Sequence, residues 1–213
     1  MQKCMVTEHI TLEDGHFYVL LQERNLATAI SRYETFQNVK SLRQDQNALV
    51  SWLRNLQHRI LERVTRRIEV ATDLSLESAE SYQVVNYGIG GHYTPHMDAH
   101  GLDKITSYVD IHDGNRLATM LMYLTDVEAG GATAFVKLGI AVKPRIGDAL
   151  FWYDVKPYDG NEFAKKMSFW HQKRKADELT THVACPVLWG SKWIVTKWIR
   201  ERNNFVVHYN TPG

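Results

Sequence analysis

The sequence predicts a mainly β fold with packing helices (α+β), specifically a double-stranded β-helix (jelly roll) with a long helix preceding the core. Between residues 45 and 72, apolar residues recur at the three-four spacing of an amphipathic helix. After Asp73 the chain changes to short apolar or alternating runs separated by glycine-rich turns, which is typical of strands. A helix followed by many short strands favours packed sheets with helices on one of them.

The predicted helix places its apolar residues on one face. These residues are Leu49, Trp52, Leu53, Leu56, Ile60, Leu61, Val64 and Ile68. Arginines occupy the other face, so we interpret the apolar face as core packing. Before the helix, residues 1–40 form a divergent N-terminal segment, and residues 41–213 form the main predicted domain.

Seven strands are predicted after the helix. They cover residues 83–87, 116–124, 132–136, 140–143, 148–153, 181–187 and 192–199. Two polar loops, 101–115 and 156–180, lie between them. The second contains lysines and arginine around Phe169 and Trp170. We interpret it as a solvated loop, because one short basic cluster in a neutral protein is weak evidence for nucleic-acid binding.

Length and composition indicate one ordinary globular domain. A chain of 213 residues can bury a substantial core, but it is short for two domains. Its formal net charge of +1 gives no reason to expect a nucleic-acid or membrane-surface partner. No apolar run approaches the length of a membrane span, and no secretory signal is visible at the start. Cys4 and Cys185 are too few for a disulfide framework, and their redox state stays open.

The most informative stretch is YGIGGHYTPHMDAH, residues 87–100. His96 and Asp98 lie two apart, so on a strand their side chains point to the same side. With His182 from a neighbouring strand they would supply two imidazoles and one carboxylate. This is the ligand set of the facial triad that holds non-haem Fe(II). The sequence therefore predicts a metal site at the end of a strand.

A rival grouping uses His92, His96 and His100, which would line one face of a helix as zinc ligands do. Pro95 lies inside that run, and a proline pushes the residue before it toward extended conformations. Gly90 and Gly91 also argue against a helix. The strand interpretation is therefore preferred.

Lys192 follows His182 by ten residues, on the next predicted strand. If the two strands are antiparallel neighbours, Lys192 can point into the same cavity as His182. A buried cation is costly unless it is paired, so an anionic ligand such as a dicarboxylic acid would suit this place. An exposed strand lysine is the alternative.

Six linked motifs together resemble the catalytic domain of the collagen-type prolyl 4-hydroxylase alpha subunit, within the 2-oxoglutarate and Fe(II)-dependent dioxygenases. The motifs lie in residues 84–98, 114–119, 126–133, 147–153, 182–187 and 190–198. Residues 41–213 would then be the catalytic domain. The resemblance implies His96, Asp98 and His182 as iron ligands. It further implies contacts from Lys192, Tyr87 and Thr133 to 2-oxoglutarate, and from Tyr93, Arg116 and Trp198 to a proline-containing peptide.

The implied enzyme is a procollagen-proline 4-dioxygenase. It would oxidise proline in a collagen-like peptide with O₂ and 2-oxoglutarate, giving 4-hydroxyproline, succinate and CO₂. L-ascorbate would be a further cofactor, and a protein disulfide isomerase-type subunit is a candidate partner. The family location is the endoplasmic reticulum lumen, and the cytoplasm is the alternative because no signal peptide is visible.

Three features depart from the family. Residues 1–40 do not match it, and the loop at 156–180 is longer than the family pattern. The tail at 203–213 has no cysteine that could pair with Cys185, which argues against an oxidising compartment. Three alternatives stay open: a non-catalytic jelly-roll peptide-binding module, a 2-oxoglutarate hydroxylase of another substrate, and a zinc hydrolase, which would leave Lys192 without a role.

Overall fold

The computed structural model describes residues 47–55, 57–100, 112–156 and 175–204. Within this part of the chain there are one α-helix and eleven strands. The helix, α1, spans Arg59–Thr72. The strands are β1 Leu49–Leu53, β2 Tyr82–Tyr87, β3 Tyr93–His96, β4 Arg116–Tyr123, β5 Ala129–Gly130, β6 Thr133–Phe135, β7 Ile140–Val142, β8 Ala149–Tyr153, β9 His182–Ala184, β10 Val187–Trp189 and β11 Lys192–Arg200.

Two antiparallel sheets organise the fold. The larger one has five strands in the order β1-β2-β11-β4-β8, and the smaller one has four in the order β3-β9-β6-β7. A short two-stranded pair, β10-β5, accompanies them. Strands far apart in sequence therefore become neighbours, as when β9 pairs with β3. This satisfies the condition that the predicted metal site requires.

The five-stranded sheet is covered on both faces. Leu61, Val64 and Ile68 of α1 belong to one core cluster, together with one face of this sheet. The other face packs with the four-stranded sheet, for example through Leu121 of β4 and Phe135 of β6. Alternate residues of each central strand therefore face opposite cores, which explains why β4 and β11 are almost continuously buried. The mainly β prediction with a helix packed on one sheet is confirmed.

The helix predicted over residues 45–72 is wrong in its first part. Residues 49–53 form β1, which pairs with β2 along its whole length. The helix begins only after His58, whose imidazole accepts a hydrogen bond from the Ile60 N–H as an N-cap. The three-four spacing continued across this boundary by coincidence, and pairing with β2 decided the strand. Leu56 lies outside the described residues.

All seven predicted strands are present, but the one at 181–187 is divided. β9 ends at Ala184 and β10 begins at Val187, with Pro186 between them. Proline has no N–H to donate to a ladder, so it interrupts the strand. The strand interpretation of the segment that carries His96 is confirmed by β3, whereas the short strand β5 was not recognised in the sequence.

Several sequence expectations fall outside the described residues. These are the divergent segment at 1–40, most of the polar loop at 101–115 and residues 157–174 of the basic loop at 156–180. The ends of the latter are held together by a β-bridge between Val155 and Ala176. Among the described residues, none of the helical segments has the length and apolar character needed to cross a membrane.

Cys185 is buried and disulfide-bonded. The sequence left its redox state open, and the other cysteine of the chain, Cys4, lies outside the described residues. Cys185 is therefore not a free thiol.

The apolar face of α1 can be tested by one pair of substitutions. Ile68 is 4% exposed, whereas Val70 on the opposite side is 82% exposed. We expect Ile68→Ala to lower the free energy of unfolding by about 2–5 kcal/mol, because it leaves a cavity beneath the sheet. We expect Val70→Ala to change it by less than about 0.5 kcal/mol. Urea unfolding followed by circular dichroism measures both, and equal effects would contradict the packing of α1.

Candidate functional site

The three predicted metal ligands meet where β3 and β9 lie side by side. His96 ends β3, Asp98 follows two residues later, and His182 begins β9. The strand register places His96 directly opposite His182. This position satisfies the sequence prediction that the third ligand comes from an adjacent strand.

The ligand atoms of these residues converge on one point. Nε2 of His96 is 3.8 Å from Oδ1 of Asp98, and Nε2 of His182 is 3.9 Å from Oδ2. All three ligand atoms lie within 4.8 Å of one another. Atoms that share one ion are about 2 Å from it and so roughly 3–4 Å from each other. The donor set therefore fits a single Fe(II), and two imidazoles with one carboxylate are the donors that this ion takes in oxygenases.

Both imidazoles are held in the orientation that metal binding needs. Nδ1 of His96 lies 2.8 Å from the Thr94 carbonyl, and Nδ1 of His182 lies 2.9 Å from the Thr180 carbonyl. When Nδ1 carries the proton, it donates to these carbonyls, and the lone pair of Nε2 is left for the ion. Burial, together with the neighbouring His182, lowers the pKa of His96 to about 4. His96 is therefore neutral and able to ligate at physiological pH.

Asp98 is 4% exposed, and its carboxylate is stabilised in the charged form. Burial by itself raises the pKa of Asp98, but His182, His96 and Arg116 outweigh this effect, so the pKa lies below its usual value. The Thr119 hydroxyl contributes a hydrogen bond at 2.8 Å to Oδ2.

Aromatic rings enclose the imidazoles. The Tyr93 ring stacks on His96 with centroids 3.7 Å apart. Trp152 meets His182 edge-on at 5.0 Å, and Phe135 lies 5.8 Å from His182. These contacts limit rotation of the imidazoles.

The rival zinc grouping is not formed. Residues 93–96 are a strand rather than a helix, and Nδ1 of His92 contacts the Gly90 carbonyl. Among the residues that the structure describes, the one cluster of metal-ligating side chains contains His96 and neither His92 nor His100.

Lys192 lies in the same pocket, at the start of β11. It pairs in register with Tyr87 and is 1% exposed. Its Nζ donates a hydrogen bond of 3.2 Å to the Thr133 hydroxyl, which also accepts one of 2.8 Å from the Tyr123 hydroxyl. Burial lowers the pKa of Lys192 to about 7, and no carboxylate in the described part of the chain offsets that effect. A buried cation without an anion provides a place for an anionic ligand.

Eight of the nine predicted site residues line one pocket. They are His96, Asp98, His182, Lys192, Tyr87, Thr133, Tyr93 and Trp198. The structure therefore brings together residues from five different strands and the segment after β3.

Arg116, the ninth predicted residue, lies behind the pocket rather than in its lining. Its guanidinium donates to both carboxylate oxygens of Glu80, at 2.7 and 2.9 Å. It also stacks on Trp198, with its central carbon 3.6 Å from the ring centroid. Arg200 donates to the same carboxylate at 2.6 Å. In this arrangement Arg116 supports Trp198, and a contact between Arg116 and a peptide stays a prediction.

Thr119, Tyr123 and Asp154 are among the polar residues at the site that sequence reasoning missed. Thr119 and Tyr123 lie within an apolar strand, and their alternation with Leu121 was the available signal that all three face one side. Asp154 follows the apolar strand β8, where a charged residue usually marks the exposed end of a strand. It is instead completely buried.

Two packed antiparallel sheets with two histidines and one aspartate in a pocket that both sheets line define a class of protein, the non-haem Fe(II) oxygenases. The family model of the 2OG-Fe(II) oxygenase superfamily matches residues 82–200. The chain belongs to this superfamily. Fe(II) and 2-oxoglutarate are therefore the metal and cosubstrate of its class, which excludes the zinc hydrolase alternative.

The resemblance to prolyl 4-hydroxylase alpha subunits is confirmed by curated relatives. Prolyl 4-hydroxylase subunit alpha-1 of Homo sapiens is 41% identical over 152 residues, which are 71% of this chain and 26% of that protein. Subunit alpha-2 of Caenorhabditis elegans is 42% identical over 152 residues, 71% of this chain and 25% of that protein. The chain thus spans about a quarter of the length of these relatives.

Two solved structures share the fold. The viral collagen prolyl hydroxylase from Paramecium Bursaria Chlorella virus-1 superposes with a TM-score of 0.69 at 22% identity, covering 89% of this chain and 99% of the viral one. A Pseudomonas putida prolyl-4-hydroxylase superposes with a TM-score of 0.58 at 15% identity, covering 88% and 94%. The jelly-roll prediction is therefore confirmed.

Proposed function

We propose that this protein is a peptidyl-proline 4-hydroxylase that acts on a proline-containing, collagen-like peptide with O₂ and 2-oxoglutarate. One observation carries the proposal: a complete His-Asp-His donor set shares a pocket with a buried lysine that has no counter-ion among the described residues. Relatives about 40% identical over the catalytic region are prolyl 4-hydroxylase subunits, which supports proline as the target.

The residues divide into three roles in this proposal. His96, Asp98 and His182 hold Fe(II), which with O₂ and 2-oxoglutarate supplies the oxidising chemistry that yields succinate, CO₂ and 4-hydroxyproline. Lys192 pairs with the distal carboxylate of 2-oxoglutarate. Tyr87 and Thr133 add hydrogen bonds to it.

The peptide lies against the aromatic side of the pocket in this proposal. Tyr93 and Trp198 form a wall suited to the extended shape that prolines adopt. Arg116 fixes Trp198 by stacking on it and stays a candidate for direct contact.

The remaining assignments follow the family resemblance. L-ascorbate would be the additional reductant, and a protein disulfide isomerase-type subunit would be a partner. We assign the protein to the endoplasmic reticulum lumen. The disulfide-bonded Cys185 supports an oxidising compartment, since such bonds are rare in the cytosol.

The proposal is tested by turnover with a (Pro-Pro-Gly)-type peptide under O₂, with Fe(II) and 2-oxoglutarate supplied. We expect succinate release coupled to the mass gain of one oxygen atom on proline. Succinate without a modified peptide would indicate a 2-oxoglutarate hydroxylase with another substrate. A folded protein that binds neither Fe(II) nor 2-oxoglutarate would instead be a non-catalytic peptide-binding module.

The affinity for 2-oxoglutarate should depend on pH through Lys192. The pKa of Lys192 is about 7 in the free protein, and an anion beside it raises that pKa. Affinity is therefore greatest below about pH 7. Above it, affinity falls about tenfold per pH unit until the pKa of the complex is reached, because binding then requires proton uptake. Calorimetric titration of 2-oxoglutarate at pH values on both sides of about 7 checks this prediction. An affinity that does not change with pH would contradict it.

The same shift affects folding with a defined sign. Between about pH 7 and about pH 10.4 the unfolded chain binds the Lys192 proton and the folded, ligand-free chain does not. Folding stability without ligand therefore rises with pH across that window, as far as this group contributes.

A further inference from the structure

The Thr119 hydroxyl lies between two buried carboxyl groups. Its Oγ1 is 2.8 Å from Oδ2 of Asp98 and 2.7 Å from Oδ2 of Asp154. Thr119 is on β4, opposite Trp152 of β8, and Asp154 follows β8 directly. All three residues are at most 4% exposed. Two short hydrogen bonds in series therefore connect the metal ligand Asp98 to Asp154.

These two hydrogen bonds require one proton more than Thr119 and two ionised carboxylates can supply. A threonine hydroxyl carries one hydrogen and can donate to only one of its two neighbours. The other neighbour must then donate to Oγ1, which means that one of the two carboxyl groups is protonated. Two ionised carboxylates would leave one short contact between lone pairs.

The surroundings of each carboxyl group show which one donates a hydrogen bond to Thr119 and which one accepts a hydrogen bond from it. Asp98 faces two imidazoles, and it must be anionic to hold a cation. Asp154 is completely buried, with no exposure to solvent that would stabilise a charge. Burial, reinforced by the charge of Asp98, raises the pKa of Asp154 well above its usual value. Asp154 therefore donates to Thr119, and Thr119 donates to Asp98.

We propose that Asp154 is a positioning residue that acts through the Thr119 hydroxyl and fixes the orientation of the Asp98 carboxylate. The hydrogen bond to Oδ2 prevents the carboxylate from rotating and keeps Oδ1 turned toward the imidazole of His96. Orientation by such outer partners typically contributes 10–100-fold to metal affinity. This inference rests on the metal site of the proposed function, but not on the identity of the peptide substrate.

The test measures Co(II) binding to the whole chain without O₂, by the visible absorption of the bound ion. We expect Asp154→Leu, which has no donor, to weaken Co(II) binding by about 10–100-fold and to change the spectrum. We expect Asp154→Asn to bind close to the wild-type level, because its amide N–H₂ can donate to Oγ1 as the protonated acid does. Rescue by asparagine separates hydrogen bonding from mere filling of space.

A double-mutant cycle shows whether Asp154 acts through Thr119. Thr119→Val removes the hydroxyl with little change of shape, and we expect it to lower Co(II) affinity about as much as Asp154→Leu does. Adding Asp154→Leu to Thr119→Val should then lower Co(II) affinity little further, because the hydrogen bonds between Asp154 and Asp98 are already lost. Thr125→Val is the control, since it removes a hydroxyl that donates to the Ser191 carbonyl outside the pocket.

Thermal unfolding in the metal-free state shows that the variants are folded. Wild-type Co(II) affinity in Asp154→Leu, or fully additive losses in the cycle, would overturn the inference. An Asp154→Asn variant that binds Co(II) as weakly as Asp154→Leu does would also overturn the inference. Failure of the wild-type protein to bind Co(II) would instead refute the metal site of the proposed function.

Discussion

Asp98→Ala is expected to abolish metal binding and turnover. Asp98 supplies the single carboxylate of the donor set, and its ligand atoms lie 3.8 and 3.9 Å from the two imidazoles. Without it, two neutral imidazoles remain, and they cannot balance the charge of a divalent ion. We expect the affinity for Co(II), measured as visible absorption, to fall by more than the roughly 10–100-fold that outer partners contribute. Succinate release should fall below detection.

The control for this substitution is Glu178→Gln. Glu178 is an exposed carboxylate that forms a surface ion pair with Lys137, and such pairs contribute little to stability. We expect this variant to bind metal and turn over as the wild type does. Unchanged Co(II) affinity in a folded Asp98→Ala protein would show that the ion binds elsewhere.

Lys192→Met is expected to separate cosubstrate binding from folding. Methionine has similar length, but it cannot pair with a carboxylate. Removing one member of a buried charge pair costs about 2–5 kcal/mol, which corresponds to a loss of 2-oxoglutarate affinity of roughly 30-fold to a few thousand-fold. Metal affinity should not change. The ligand-free protein should be as stable as the wild type or more stable, because the substitution removes a buried cation that no described carboxylate pairs with.

Lys197 provides a matched control on the same strand. It is also fully buried, with a pKa lowered to about 7 by burial, but it faces the helix side of the sheet. Its Nζ donates to Oδ1 of Asn55 and to the Glu80 carbonyl. We expect Lys197→Met to lower stability by about 1–3 kcal/mol, because it leaves buried acceptors without donors, and to spare 2-oxoglutarate binding. Isothermal titration and thermal unfolding measure both variants. Equal loss of affinity in the two would show that Lys192 has no specific role.

The strands were predictable because their sequence signals are local. The central strands are buried on both faces, so each gave a continuous apolar run, and glycine-rich turns marked the ends. The boundary between β1 and α1 was not predictable in this way. The spacing of Leu49, Trp52 and Leu53 suits a helix face, and only the pairing with β2 made this segment a strand.

The site was predictable where chemistry restricts the choice of residue. His96 and Asp98 two apart, a distant His182 and the matching motif at Lys192 formed a recognisable set. Asp154 was not predictable, because its role depends on burial beside Thr119. From the sequence alone, an acidic residue at the end of a strand is interpreted as exposed to solvent. Arg116 was placed in the peptide groove, but the structure also gives it a carboxylate partner and an aromatic ring.

The sequence by itself determined the secondary structure of the central strands and the set of residues from which a metal and cosubstrate site could be built. It could do so because side-chain alternation and ligand chemistry depend on residue type and short spacing. The tertiary structure alone decided that β3 and β9 are neighbours, that Lys192 is buried with no acidic partner in the part of the chain that the structure describes, and that Thr119 links two carboxyl groups. Strand pairing, burial and hydrogen-bond partners depend on segments distant in sequence, and they become fixed only when the two sheets pack together.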